Sequence, residues 1–216
     1  MHDTLGTILE TGLIAIIRSD SPSGLIETVR ALAAGGVRAV EVTMTTPGAL
    51  EAIQAAARDS RGDFLIGAGS VLDAESARKA IDAGAEFLVM PCVDLGAIRT
   101  AKRCGKVVCP GALTPTEIVT AWQAGADIVK VFPASSVGPA YIKAVRAPLP
   151  HVRLMPVGGV DLGNIDAYVK AGACAVAVGG NLASARTIAQ GDWARMTETA
   201  RHYVAAVAAA RQGGAA

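Results

Sequence analysis

The chain has 216 residues, 51% of them hydrophobic, with a formal net charge of +1. That length suits one large domain with a substantial core. The near-neutral charge, with no basic run, excludes a nucleic-acid footprint, and apolar runs broken by charge or glycine exclude a transmembrane helix.

In chain order, Met1 to Glu10 lacks the basic-then-apolar layout of a signal peptide, and Asp3 to Thr11 reads as a short leading helix. Leu13 to Ile17 is a fully apolar strand ending at Arg18. Ser21-Pro22 predicts a capped helix start with proline in the first turn, running to about Ala34. Val37 to Val42 is a second strand, carrying Glu41. Thr46-Pro47 predicts another capped helix, to about Arg58. Phe64 to Gly67 is a strand, followed by a helix from Asp73 to near Gly84. Glu86 to Met90 is a strand, and Asp94 caps a helix to near Gly105. Lys106 to Cys109 is a strand, and Thr114-Pro115 caps a helix to Gly125. Ile128 to Ala134 is the sixth strand, with Lys130 in its middle, and a helix follows over 138–146. Val152 to Val157 is a strand, and Asp161 is read as the cap of a helix ending at Gly172. Cys174 to Val178 is the eighth strand. A last helix covers Asp192 to Ala209, and the tail from Gln212 to Ala216 is expected to fray.

Mostly apolar strands alternating with helices imply a parallel sheet covered by helices. Eight such units in 216 residues predict one compact (β/α)₈ barrel, a TIM barrel spanning residues 1–216 with a short N-terminal helix. An open doubly wound sheet is the alternative. Cys92, Cys104, Cys109 and Cys174 show no C-x-x-C spacing. They read as free thiols of a reducing cytoplasm rather than a disulfide scaffold or a zinc site. His2, His151 and His202 are scattered, and no metal site is assigned to them.

The chemistry begins at Lys130, set in the apolar strand Ile128-Val129-Lys130-Val131-Phe132. Burying an ammonium is expensive, so a lysine held inside lowers its pKa and sits as a neutral amine. A neutral amine is a nucleophile that forms a Schiff base with a carbonyl substrate. The alternative is a lysine that snorkels from a strand end or pairs with a buried acid. Glu41 is that acid, alone in the apolar run Ala39-Val40-Glu41-Val42. A buried ion pair is one reading of the two. The other has the lysine forming the imine while a desolvated glutamate shuttles protons.

In a barrel, active groups sit at the C-terminal ends of strands. Arg18, Glu41, Ser70, Pro91, Lys130 and Phe132 all fall at or near such ends. So do the glycine pairs Gly158-Gly159 and Gly179-Gly180, in the position where backbone N–H groups of such barrels hold phosphate. Arg18 could add a charge-assisted contact to phosphate or carboxylate. Gly67-Ala68-Gly69-Ser70-Val71 offers N–H groups and a hydroxyl. Phe132, Pro91 and Cys92 read as cavity wall. No Ser-His-Asp set is present, and no G-x-G-x-x-G opens a helix after the first strand.

Glu41-Val42-Thr43, Gly67-Ala68-Gly69-Ser70-Val71, Val129-Lys130-Val131-Phe132-Pro133-Ala134 and Pro156-Val157-Gly158-Gly159-Val160 closely resemble the class I aldolases of 2-keto-3-deoxy-6-phospho-aldonates. This is the KDPG/KDPGal aldolase family, which includes 4-hydroxy-2-oxoglutarate aldolases, and the resemblance covers nearly the whole chain. It implies a (β/α)₈ barrel, a homotrimer and no cofactor. It implies Lys130 as the Schiff-base lysine and Glu41 as the proton shuttle. Arg18, Ser70, Pro91, Phe132, Thr45 and Val157 would bind the keto acid, and Gly158, Gly159, Gly179, Gly180 and Asn181 its phosphate. Four positions depart from the family pattern. Thr45 stands where many gluconate-type members carry arginine, and Ser70 where threonine is commoner. Val157 replaces a threonine typical of gluconate-type enzymes, and Asn181 stands where serine is common. The implied reaction splits a 2-keto-3-deoxy-6-phosphosugar acid into pyruvate and glyceraldehyde 3-phosphate. The unphosphorylated alternative is 4-hydroxy-2-oxoglutarate, giving pyruvate and glyoxylate. Two rivals from other classes are an isomerase or epimerase using Glu41 alone and a non-catalytic phosphosugar-binding barrel.

Overall fold

The computed structural model describes residues 3–60 and 62–213. A first helix, α1 (Thr4–Thr11), leads into strand β1 (Leu13–Ile17). Helices and strands then alternate: α2 (Leu25–Ala34), β2 (Ala39–Thr43), α3 (Ala49–Asp59), β3 (Leu65–Gly69), α4 (Ala74–Asp82), β4 (Phe87–Val89), α5 (Leu95–Arg103), β5 (Val107–Cys109). After a two-residue strand β6 (Gly111–Ala112) come α6 (Pro115–Gln123), β7 (Val129–Val131), α7 (Gly138–Arg146), β8 (Leu154–Pro156), α8 (Ile165–Lys170) and β9 (Val176–Val178). A short helix α9 (Ala185–Gln190) and a long α10 (Trp193–Gln212) close the described chain.

Every strand pairing is parallel. Six strands form one curled sheet in the order β5-β4-β3-β2-β1-β9, and three form a second, β6-β7-β8. The expected fifth strand, Lys106 to Cys109, is β5 of the six-stranded sheet, and the unexpected β6 just beyond it opens the second sheet. Pro110 has no N–H to give, so the ladder breaks there. β5 pairs with β4 before the break and β6 pairs with β7 after it. The Pro110 carbonyl still accepts the Lys130 N–H at 2.9 Å. On the other side, Cys174 N–H donates to the Leu154 carbonyl at 2.9 Å, and Val157 forms an isolated parallel bridge with Ala177.

The two faces of each strand point into different apolar clusters, as the period of two requires. Leu13, Ala15 and Ile17 of β1, with Val40 and Val42 of β2, pack outward against the helices. Ile14, Ile16, Ala39, Leu65, Phe87, Val89, Cys109, Met155 and Ala177 form a second cluster on the opposite face. Helix α1 belongs to this inner cluster: Ile8 is fully buried there, with Leu5 and Leu9 beside it. The helix therefore floors the interior at one end.

Three helix starts differ from expectation. Ser21-Pro22 and Thr46-Pro47 precede helices that begin only at Leu25 and Ala49, behind Gly24 and Gly48 at φ 75° and 73°. These glycines reverse the chain in the left-handed region, which side chains resist. Asp161 also lies ahead of its helix, which starts at Ile165. Asp73, Asp94 and Thr114 cap as expected, Thr114 with a reciprocal Glu117 contact. Helix α9 was not anticipated, although Ser184 accepts from Thr187 N–H in an ordinary cap. The last helix extends to Gln212, and of the expected frayed tail residues 214–216 lie outside the described residues.

Arg211 ties α10 to the floor of the fold. Its guanidinium donates to the carbonyls of Leu9, Glu10 and Cys174. Arg211→Ala should lower stability by about 2 kcal/mol, because part-buried carbonyls lose charged donors. A urea titration followed by circular dichroism checks this.

Candidate active site

Glu41 and Lys130 reach the interior for the same local reason. In β2 the outward residues are Val40 and Val42, so Glu41 must face inward; in β7 Val129 and Val131 do the same to Lys130. Glu41 is 1% exposed and Lys130 7%. Neither belongs to an ion pair: the salt bridges within 4.0 Å among the described residues all join other side chains, most of them exposed. A structural Lys130–Glu41 bridge is therefore not what holds them. Glu41 Oε2 is buried with no hydrogen-bond partner among the described residues. The Lys130 Nζ instead rests 4.5 Å from the centroid of the Phe132 ring.

Both groups line one cavity of about 600 Å³, together with Arg18, Ser70, Phe132, Val157, Gly158, Gly159, Gly179, Gly180 and Asn181. Burial pushes the Glu41 carboxyl up from 4.5 to about 7, against the opposing pull of Lys130 and then Arg18. Burial pulls the Lys130 amine below its usual value; the Glu41 charge resists this and the Arg18 charge adds to it. The cavity thus holds an amine that gives up its proton more readily than a free lysine. It also holds an acid poised to gain and lose a proton near neutrality.

The floor beside Glu41 is shaped by what is missing from Gly69. A Cβ there would stand 2.3 Å from Glu41 Oε1. Gly111 is confined in another way, since its Cβ would meet the Pro91 carbonyl carbon at 2.4 Å. At the far wall Gly158 and Gly159 have φ of 92° and 75°. Among the described residues the N–H groups of Gly159, Gly180 and Asn181 donate to no acceptor. They are free to meet an anion at the cavity edge. The Asn181 side chain is already committed, its amide donating to the Val160 carbonyl at 3.0 Å. Ser70 adopts φ 57°, an uncommon conformation for a residue with a side chain.

Two expected binding residues stand apart. Thr45 is exposed, its hydroxyl donating to Thr43 Oγ1 at 3.2 Å, and it does not line the cavity. Pro91 does not line it either; its carbonyl group lies against Gly111, and Cys92 next to it is exposed. Sequence reasoning passed over Ile16, Asp20, Val160, Ala177, Ala183 and Ala185, which do line it. Ile16 and Ala177 share the inward parity of Glu41 and were readable on that ground. Asp20, Val160 and Ala183 lie in loops and Ala185 in the first turn of the short α9, with no period to betray them. Among the described residues no group of three His, Cys, Asp or Glu side chains is placed to hold a metal ion.

A family model described as "KDPG and KHG aldolase" matches residues 6–199. The chain belongs to that aldolase family. It is 39% identical to the 2-dehydro-3-deoxy-6-phosphogalactonate aldolase of Escherichia coli K12 over 172 residues, 79% of this chain and 83% of that protein. It is 37% identical to the 2-dehydro-3-deoxy-phosphogluconate aldolase of Treponema pallidum over 187 residues, 86% and 88% of the two chains. Among solved structures, it is similar to the KDPG aldolase of Legionella pneumophila with pyruvate captured at low pH as a covalent carbinolamine intermediate. That match has a TM-score of 0.85 and 25% identity, covering 92% of this chain and 97% of the other.

For this aldolase-family cavity, Gly69→Ala is an informative change. The added methyl must displace the Glu41 carboxylate, while the extended strand backbone accepts alanine. Expected is a fall in kcat of about 10²-fold, with the fold retained by circular dichroism. A steady-state assay of pyruvate release measures it.

Proposed function

We propose that this chain is a class I aldolase cleaving a 2-keto-3-deoxy-6-phospho-aldonate to pyruvate and glyceraldehyde 3-phosphate through a Schiff base on Lys130. One observation carries the reading. A nearly dry amine with a lowered pKa shares a cavity with a carboxyl held at about 7, and the two do not pair.

The steps follow from these two groups. The neutral Lys130 amine adds to the C2 ketone, giving a carbinolamine. Loss of water leaves a protonated imine. The Glu41 carboxylate takes the C4 hydroxyl proton, the C3–C4 bond breaks, and its electron pair flows into the imine as an enamine. The aldehyde leaves. Glu41, now protonated, returns its proton to C3, and water hydrolyses the imine to pyruvate and free Lys130. The imine is the electron sink, so the scheme asks for no metal and no cofactor. Arg18 and Ser70 would orient the carboxylate end and Phe132 would pack on the carbon chain. Gly158, Gly159, Gly179, Gly180 and the Asn181 backbone would receive the phosphate. Val157 offers methyl groups where a threonine hydroxyl would read C4, so the reading covers both the gluconate and galactonate epimers.

The proposal also takes the two sheets as arcs of one closed (β/α)₈ barrel and residues 1–216 as one domain. It is supported by the Cys174–Leu154 hydrogen bond, the Val157–Ala177 bridge, the strand shared across Pro110, and the inner cluster drawn from both sheets. The four free thiols support a cytoplasmic setting. The family resemblance supports a homotrimer, which light scattering tests. No helix among the described residues is long and apolar enough to cross a membrane.

A second substrate, 4-hydroxy-2-oxoglutarate, is favoured by the commitment of the Asn181 side chain to Val160, which leaves backbone groups alone for phosphate. Turnover of the phosphorylated and unphosphorylated acids, compared side by side, separates the two. The mechanism is tested by borohydride reduction in the presence of pyruvate, then peptide mass mapping. A stable adduct on the peptide holding Lys130 is expected. No adduct, or one on another lysine, would overturn the reading.

A further inference from the structure

A chain of buried hydroxyls joins the loop after β1 to the end of β2. Thr43, Thr46 and Ser19 are 1%, 3% and 7% exposed. Thr46 Oγ1 accepts the Ser19 N–H at 3.2 Å and shares a proton with Thr43 Oγ1 at 3.0 Å. Ser19 Oγ in turn accepts the Ser21 N–H at 3.2 Å. Thr46 looked in sequence like a helix cap. Its hydroxyl is instead spent between strands, and helix α3 starts behind Gly48 without a side-chain cap.

The position of the Ser19 N–H gives this network its meaning. It belongs to the planar peptide unit whose carbonyl is that of Arg18, so holding it restrains the backbone from which the Arg18 side chain departs. Arg18 lines the cavity, and its charge acts on both Glu41 and Lys130. A long exposed guanidinium on an untethered loop would spread over many conformers. Thr43 lies two residues beyond Glu41 on the same inward face of β2, so the anchor of the Arg18 loop is the strand that carries the acid.

We infer that Thr46 is a positioning residue, which through the Ser19 N–H sets Arg18 over the substrate cavity. The inference rests on the reading of that cavity as the keto-acid site. Thr46→Val keeps the volume and removes the acceptor. Expected is a rise in KM of about tenfold with kcat changed by less than about twofold, the size of one lost buried hydrogen bond. Thr46→Ser should restore KM, since it keeps the oxygen. Thr46→Ala, tested in case valine does not fold, should show the same split. In an Arg18→Ala background the valine change should add nothing to KM.

An unchanged KM in the folded variants, or a full tenfold effect on top of Arg18→Ala, overturns the inference. So does a normal KM for Arg18→Ala. Borohydride trapping at Lys130 in the parent protein keeps these outcomes apart from a failure of the aldolase reading, since that trapping does not depend on Thr46.

Discussion

Replacing Lys130 by methionine should abolish pyruvate release, lowering kcat by about 10⁴-fold or more, because the covalent electron sink is lost. Pyruvate with borohydride should then leave the protein unlabelled. Methionine matches the length of the lysine stem and suits its apolar neighbours. The sign of the stability change follows from linkage. In the unfolded chain the amine titrates at 10.5, while in the fold burial pulls it lower. Native protein thus binds this proton less tightly, and the resulting loss of stability fades as pH rises toward 10.5. At pH 7 the methionine variant should melt no lower than the parent, so its inactivity will not be confused with unfolding. An isomerase using Glu41 alone predicts the reverse, a variant with most of its activity intact.

Glu41→Gln is the second large effect. A general acid–base group contributes typically 10²–10⁴-fold, so kcat should fall by about that much. The parent's pH–rate profile should show a limb near 7, and the variant should lack it. Imine trapping with pyruvate should survive, because removing the carboxylate takes away what holds the Lys130 pKa up. The stability signature is distinct too. Glu41 ionises at 4.5 unfolded and at about 7 folded. Its contribution is present below 4.5 and is lost as pH climbs through 7, a difference of roughly 3 kcal/mol. Glu41→Gln should flatten that part of the stability–pH curve, as chemical denaturation at pH 5 and pH 8 would measure.

The alternation of Val129-Lys130-Val131 and Val40-Glu41-Val42 made the two central groups legible, because a period of two leaves the middle residue only one face to occupy. The cavity glycines Gly158, Gly159, Gly179 and Gly180 were legible from their place after strands. Other features were not. The two-residue strand β6 beyond Pro110 is too short for any pattern to report. Thr46 and Ser21 carry the chemistry of helix caps, but tertiary partners claimed the Thr46 hydroxyl and glycines started the helices. Thr45 was placed by resemblance alone and Pro91 by its position after the fourth strand; in this chain the Thr45 hydroxyl turns to Thr43 and the Pro91 carbonyl lies against Gly111. Asp20 sits in a loop, where no periodicity reports which way a side chain turns.

Helix α1 plugs one end of the interior with Leu5, Ile8 and Leu9. Among the described residues the cavity therefore opens at the other end, on the side of the late glycines. Lys130 lies on the strand beneath them, so on the proposed reaction the aldehyde fragment stands nearer the exit and must depart before the three-carbon acid. Run backwards, condensation requires pyruvate to board first, and the kinetics in that direction should be ordered rather than random.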